Sequence, residues 1–121
     1  MSEKFPKQGE IQKYSQIQSI PRQGEIWLVD FNRKKEKEQS KIRPVVIMSN
    51  NWQNQYSDYL VIVPLTNEEE ELKHIKPFEV LIEADERNGL DRKSKILLHR
   101  LQIIDKKFRL IERKGQVDGK V

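Results

Sequence analysis

The sequence predicts a mainly β chain with minor α content, folded as a small barrel or strongly curved sheet. Two observations carry this. Five short runs, Glu25–Phe31, Pro44–Ser49, Tyr59–Leu65, Phe78–Ile82 and Lys95–Leu98, are apolar and rich in β-branched residues. Turn-forming residues punctuate them at Asn50-Asn51, Ser57-Asp58, Pro77 and Asn88-Gly89. Helical signals are slight by comparison, and many short strands with few helices fit a curved or closed sheet.

The elements follow in order. Residues 1–23 carry no steady period and are read as an N-terminal arm. Within it Pro6-Lys7-Gln8-Gly9-Glu10-Ile11 anticipates Pro21-Arg22-Gln23-Gly24-Glu25-Ile26, but only the second copy runs on into Trp27-Leu28-Val29-Asp30-Phe31. The domain proper is therefore placed at 24–121. The second strand opens on Arg43-Pro44. Proline has no N–H to give and suits the first residue of a strand, and it biases Arg43 toward extended backbone. One helical turn is expected at Trp52–Tyr56, and a second after Asp105, which can cap Lys106-Lys107-Phe108.

Composition bounds the possibilities. The chain has 121 residues, the size of one domain. Its net charge of +4 is uneven. Residues 32–43 hold six basic side chains against two acidic, and residues 105–121 hold six against three, while Glu68–Glu71 form an acidic run. Two basic segments suit a polyanion such as nucleic acid; a solvated, lysine-rich surface accounts for them equally. No cysteine is present, which excludes disulfides and thiolate zinc sites. No apolar stretch approaches the roughly 20 residues of a membrane span, and residues 1–23 lack the apolar core of a signal peptide. A cytoplasmic protein is expected.

The chemistry is sought at the strand ends. If the second and third strands pair antiparallel, Arg43 at the start of one lies beside Thr66 at the end of the other. A guanidinium beside a hydroxyl can bind an oxyanion. Glu38, five residues before Arg43, can bring a carboxylate to the same rim. Base, cation and hydroxyl are the parts needed to cleave RNA through its own 2′-hydroxyl. Ordinary readings stay open: Thr66 can simply start a turn, Arg43 can pair with a local carboxylate, and Glu38 can be one charge in a solvated loop. Trp52 and Tyr56 are the aromatic pair expected at the surface, where they can stack on bases. His74 and His99 lack neighbours at metal-ligand spacing.

The ordered blocks resemble the MazF/PemK toxins of bacterial type II toxin–antitoxin systems, the mRNA interferases. The blocks are Gly24 to Phe31; Glu38-Gln39 with Arg43-Pro44-Val45-Val46-Ile47; Val63-Pro64-Leu65-Thr66; Pro77-Phe78-Glu79-Val80; Gly89 to Ser94; and Ile96-Leu97-Leu98 through Asp105-Lys106 to Arg109-Leu110. The resemblance implies an SH3-like β-barrel and a homodimer. It implies selective, metal-independent cleavage of single-stranded RNA to 2′,3′-cyclic phosphate and 5′-hydroxyl ends, with no cofactor. It also implies a cognate antitoxin whose tail blocks the RNA groove. The family's catalytic arginine and threonine fall on Arg43 and Thr66, and the loop glutamate of some members falls on Glu38, as base or as the group that orients Arg43. Lys41, Trp52, Tyr56, Ser94 and Arg100 are the expected RNA contacts.

Three departures stand out. Ser40-Lys41-Ile42 replaces the glycines many members carry before the arginine. His99-Arg100 replaces their Glu-Gln. Val121 falls where many begin a C-terminal helix, most of which this chain is expected to lack. The alternative to an endoribonuclease is a catalytically impaired RNA- or protein-binding barrel of the same family; a basic RNA-binding barrel of ribosomal type is a third reading.

Overall fold

A computed structural model describes residues 20–31 and 41–119. The arm 1–19, including the first copy of the proline–glycine echo, and the loop 32–40, including Glu38, lie outside the described residues.

Among the described residues seven strands form the fold: β1 (Glu25–Asp30), β2 (Ile42–Ile47), β3 (Tyr59–Thr66), β4 (Glu79–Ile82), β5 (Ser94–Leu97), β6 (Gln102–Asp105) and β7 (Leu110–Gln116). Three short α-helices among the same residues interrupt them: α1 (Asn51–Tyr56), α2 (Glu69–Leu72) and α3 (Lys106–Arg109). The five expected strands are present. β6 and β7 add two that sequence patterning does not single out. The last two residues of β7 before its end, Gly115-Gln116, and the charged Glu112-Arg113-Lys114 hide its strand character.

All ladders are antiparallel. The path runs β4-β5-β3-β2-β1-β7, with β6 also on β3. No ladder closes the ring among the described residues, so the architecture is a strongly curved, branched sheet rather than a fully closed barrel. Among the described residues no helix is long and apolar enough to cross a membrane.

Strands β1, β2 and β3 each feed two cores. Trp27, Val29, Val45, Ile47, Leu60, Ile62, Ile104 and Leu110 pack on one side. Ile26, Val46, Val63, Leu65, Ile82 and Ile96 pack on the other. Successive side chains point to opposite faces of a strand, so the continuous apolar runs Val45-Val46-Ile47 and Leu60 to Leu65 read as strands buried on both faces. Trp27 is 1% exposed, and its indole N–H donates to Glu25 Oε1 at 2.9 Å. Glu25 in turn accepts from Arg113 Nε at 2.7 Å, tying β1 to β7. Packing has begun by Pro21, which is fully buried.

The loop between β4 and β5 lies against β7 at two glycines. Gly89 has φ +69°, and a Cβ there would meet the Lys114 carbonyl oxygen at 2.0 Å. A Cβ on Gly115 would meet the Arg87 carbonyl oxygen at 2.2 Å and the Asn88 carbonyl carbon at 2.5 Å. Backbone cannot yield as a flexible side chain can. Gly115→Ala is expected to destabilise the fold by about 1–3 kcal/mol, the cost of overpacking a filled site, measured by chemical denaturation.

Candidate functional site

The β2–β3 ladder pairs Val45 with Pro64, Val46 with Val63 and Ile47 with Ile62. Carried two residues further, this register sets Arg43 opposite Thr66. Both line a cleft of about 310 Å³ at the open end of the β2–β3 hairpin. An adjoining hollow of about 370 Å³ is lined by the same two residues together with Pro44 and Asn67. Arg43 and Thr66, expected to share a rim, are therefore brought together.

The stem of the 32–40 loop holds the cation side of the cleft. Phe31 N–H donates to the Lys41 carbonyl at 3.0 Å, and Lys41 N–H donates to Asp30 Oδ1 at 3.2 Å. Arg109 Nη1 reaches the carbonyls of Asp30 and Phe31 at 3.2 and 2.6 Å. Lys41 and Arg100 line the cleft beside Arg43. The Arg43 guanidinium has no hydrogen-bond or ion-pair partner among the described residues. Of the ordinary readings left open above, a local carboxylate partner for Arg43 is thus not found among them. The turn reading of Thr66 does hold in part: it is buried, and its Oγ1 accepts Glu68 N–H at 3.4 Å.

Arg100 reaches the cleft through a break in the sheet. β3 pairs with β6 over Tyr59–Ile62 and with β5 over Leu65–Thr66. Between those partners the chain makes a 3₁₀ turn, Leu98–Arg100. The break lies beside Pro64, which has no N–H to donate to a ladder. His99 packs edge-on against Phe78, with ring centroids 4.7 Å apart.

The other expected contacts lie elsewhere. Trp52 and Tyr56 are strongly exposed and stacked, centroids 5.9 Å apart, on α1 at the closed end of the hairpin. That is about 23 Å from Thr66 along β3 at about 3.3 Å per residue. Helix α1 is held rigidly: Asn54 is fully buried, donates to the Ser49 carbonyl and accepts from the Ser49 hydroxyl. Lys106 Nζ donates to the Asn54 carbonyl at 2.8 Å, and burial, partly offset by Asp58, lowers its pKa below the usual lysine value. Ser94 requires a correction. It is buried at the start of β5, and its hydroxyl donates to the Arg92 carbonyl at 3.1 Å, so it offers no group to a surface ligand.

Two residues missed by sequence reasoning line the same cleft, Glu68 and Glu71. Their acidic run was visible, and Glu68 follows Thr66 by two residues, but the sequence does not show that the run folds back over the cleft. Glu71 is bound to Lys95 Nζ at 3.2 Å, and Lys95 also pairs with the buried Glu79 at 2.9 Å. Lys95 Nζ further donates to the His74 carbonyl at 3.2 Å, which pins the segment after Thr66 to β5. Burial alone would depress the Lys95 pKa, but the hydrogen bonds and charges of Glu79 and Glu71 hold it above the usual lysine value. Glu79 is held below the usual carboxylate value, first by the Lys76 N–H and then by Lys95. Among the described residues no three His, Cys, Asp or Glu side chains gather as a metal site.

Residues 22–121 match the family model of the PemK-like, MazF-like toxin of type II toxin–antitoxin systems. The chain belongs to this family. The fold is likewise that of solved MazF-type structures. A MazF from Deinococcus radiodurans shares 20% identity over 84% of each chain, with a TM-score of 0.62. A MazE–MazF complex from the same organism shares 17% over 84% of this chain and 83% of that one, at 0.60. An endoribonuclease bound to its cognate antitoxin, from a mycobacterial species, shares 19% over 84% and 81%, at 0.58.

The Lys95–Glu79 pair gives this MazF-like fold a pH window. A lowered Glu79 pKa contributes stability above the unfolded carboxylate value of about 4.3 and loses it as pH falls through the folded one. A raised Lys95 pKa contributes below about 10.4 and loses it as pH rises through the folded value. Glu79→Gln is expected to be less stable at pH 7 and to show a shallower acid limb, measured by denaturation from pH 7 down to 2. An acid limb as steep as wild type would remove Glu79 from this role.

Proposed function

We propose that this chain is the toxin of a type II toxin–antitoxin system and acts as an endoribonuclease on single-stranded RNA. Cleavage proceeds through the RNA's own 2′-hydroxyl, without a metal or other cofactor, and leaves 2′,3′-cyclic phosphate and 5′-hydroxyl ends. The observation that carries this reading is the cleft in which Arg43, with no partner of its own among the described residues, stands on the same rim as Thr66. Family membership supplies the toxin setting.

The roles follow from chemistry. Arg43 offers a planar, permanently charged donor fork to the scissile phosphate and neutralises charge as the pentavalent state forms. It is a poor base, since a guanidinium in a protein does not give up its proton. Thr66 donates its hydroxyl to a phosphate oxygen. Lys41 and Arg100 bind flanking phosphates. Glu38 is either the base or the group that orients Arg43. Trp52 and Tyr56 stack on bases some way along the strand, because they sit at the far end of the hairpin. The functional unit is a cytoplasmic homodimer. Its antitoxin inserts an acidic or hydrophobic tail into the cationic cleft.

Digestion of a long single-stranded RNA in EDTA, with the new 5′ ends mapped, tests this directly. The chain should cut at recurrent sites and leave 5′-hydroxyls. Cleavage seen only with added magnesium would rule out the 2′-hydroxyl route, and RNA binding without cleavage would favour the impaired binding protein. Arg43→Ala should abolish cutting with the fold intact. Thr66→Ala should slow it on the order of 100-fold, as when one oxyanion donor is removed. A Thr66→Ala effect confined to RNA affinity would reduce that residue to positioning.

A further inference from the structure

The cleft holds a carboxylate that the roles above leave unused. Glu68 follows Thr66 by two residues, and its N–H donates to Thr66 Oγ1 at 3.4 Å. Its position is set from both sides: Thr66 ends β3, and Glu68 itself caps the short helix α2, where Leu72 N–H donates to its carbonyl at 3.0 Å. Further along the same segment, Lys95 grips Glu71 and the His74 carbonyl. Glu68 and Glu71 on this anchored segment thus form one wall of the cleft.

The two carboxylates on that wall are not equivalent. Glu71 is committed to the buried ammonium of Lys95 at 3.2 Å. Glu68 is exposed, lines the cleft with Arg43 and Thr66, and its carboxylate has no hydrogen-bond or ion-pair partner among the described residues. The charged groups sharing its cleft are Lys41 and Arg43 from the β2 side, Arg100 from the 3₁₀ turn, and Glu71 from α2. A phosphate held by the three cations would share this cleft with the Glu68 carboxylate.

We infer that Glu68 is the general base of the cleavage reaction, an inference that rests on the endoribonuclease reading. The 2′-hydroxyl proton passes to the Glu68 carboxylate as the 2′-oxygen–phosphorus bond forms. The phosphorus–5′-oxygen bond breaks, and the 5′-oxygen takes a proton from solvent water. Glu68 then returns its proton to water. Glu38 is left to orient Arg43.

The test uses the full chain with a long single-stranded RNA in EDTA, and a 2′-deoxy version of the mapped cut site to read binding. Glu68→Gln should lower kcat by about 100-fold or more, the range of general-base catalysis, with affinity for the 2′-deoxy RNA and the melting temperature unchanged. Formate should restore part of the rate of Glu68→Ala but none of that of Arg43→Ala. Glu70 pairs with exposed Lys73, and Glu70→Gln should cut as wild type. Cleavage by Glu68→Gln at the wild-type rate overturns the inference, and so does wild-type-rate cleavage at a changed set of sites, which would make Glu68 a base reader. A rate loss matched by lost affinity, or one that formate does not relieve, also overturns it. Wild type that cuts normally confines any such failure to Glu68. Wild type that does not cut overturns the endoribonuclease reading, and this inference with it.

Discussion

The antiparallel ladder between β2 and β3 sets the geometry on which the rest of the chain depends. Val45 and Ile47 feed one core, and Val46 feeds the other. A slip of one residue would turn every side chain of β2 to the opposite face. Trp27, Leu60 and Ile62 on one side, and Ile26, Val63 and Leu65 on the other, leave no room for that exchange. The same register carries Arg43 to Thr66. Core packing and cleft geometry are therefore one constraint: the apolar residues fix the strand, and the strand fixes the guanidinium.

Around that ladder the chain keeps its cations in two different states. Lys95 is buried and satisfied by Glu79, Glu71 and the His74 carbonyl, so it acts as a structural tie between β4, β5 and the segment after β3. Arg43 stands at a strand mouth with no partner among the described residues. A buried charge without partners is costly, and the chain avoids that cost at Lys95 while leaving Arg43 available at an open cleft. The two differ in their place on the sheet: Lys95 lies in β5 between β4 and β3, and Arg43 near the start of β2.

Much of this was legible in one dimension. The runs Val45-Val46-Ile47 and Leu60 to Leu65 stand out because they are continuously apolar and feed both cores, and the other runs because β-branched residues are bounded by turn residues. Arg43 and Thr66 were readable as neighbours on the condition that their strands pair antiparallel, and the ladder meets that condition. β6 and β7 were not legible as strands: Ile103 is largely exposed, and Glu112-Arg113-Lys114 interrupts the pattern, so ladder bonds to β3 and β1 hold them where apolar periodicity does not. Ser94 was an expected RNA contact on the family resemblance, yet in β5, paired with Ile82 of β4, it is buried.

The sequence by itself determined the mainly β class and the family, because these depend on local patterning, and it placed an arginine and a threonine where antiparallel pairing of two runs would bring them together. Only the tertiary structure decided what else meets them. Arg100 comes to the cleft because the sheet breaks into a turn beside Pro64, while Trp52 and Tyr56 are carried to the far end of the same hairpin. Glu68 and Glu71 face the cations because Lys95, distant in sequence, anchors their segment to β5. Such neighbours are set by ladder register and by a buried ion pair between remote residues, and neither leaves a period along the chain.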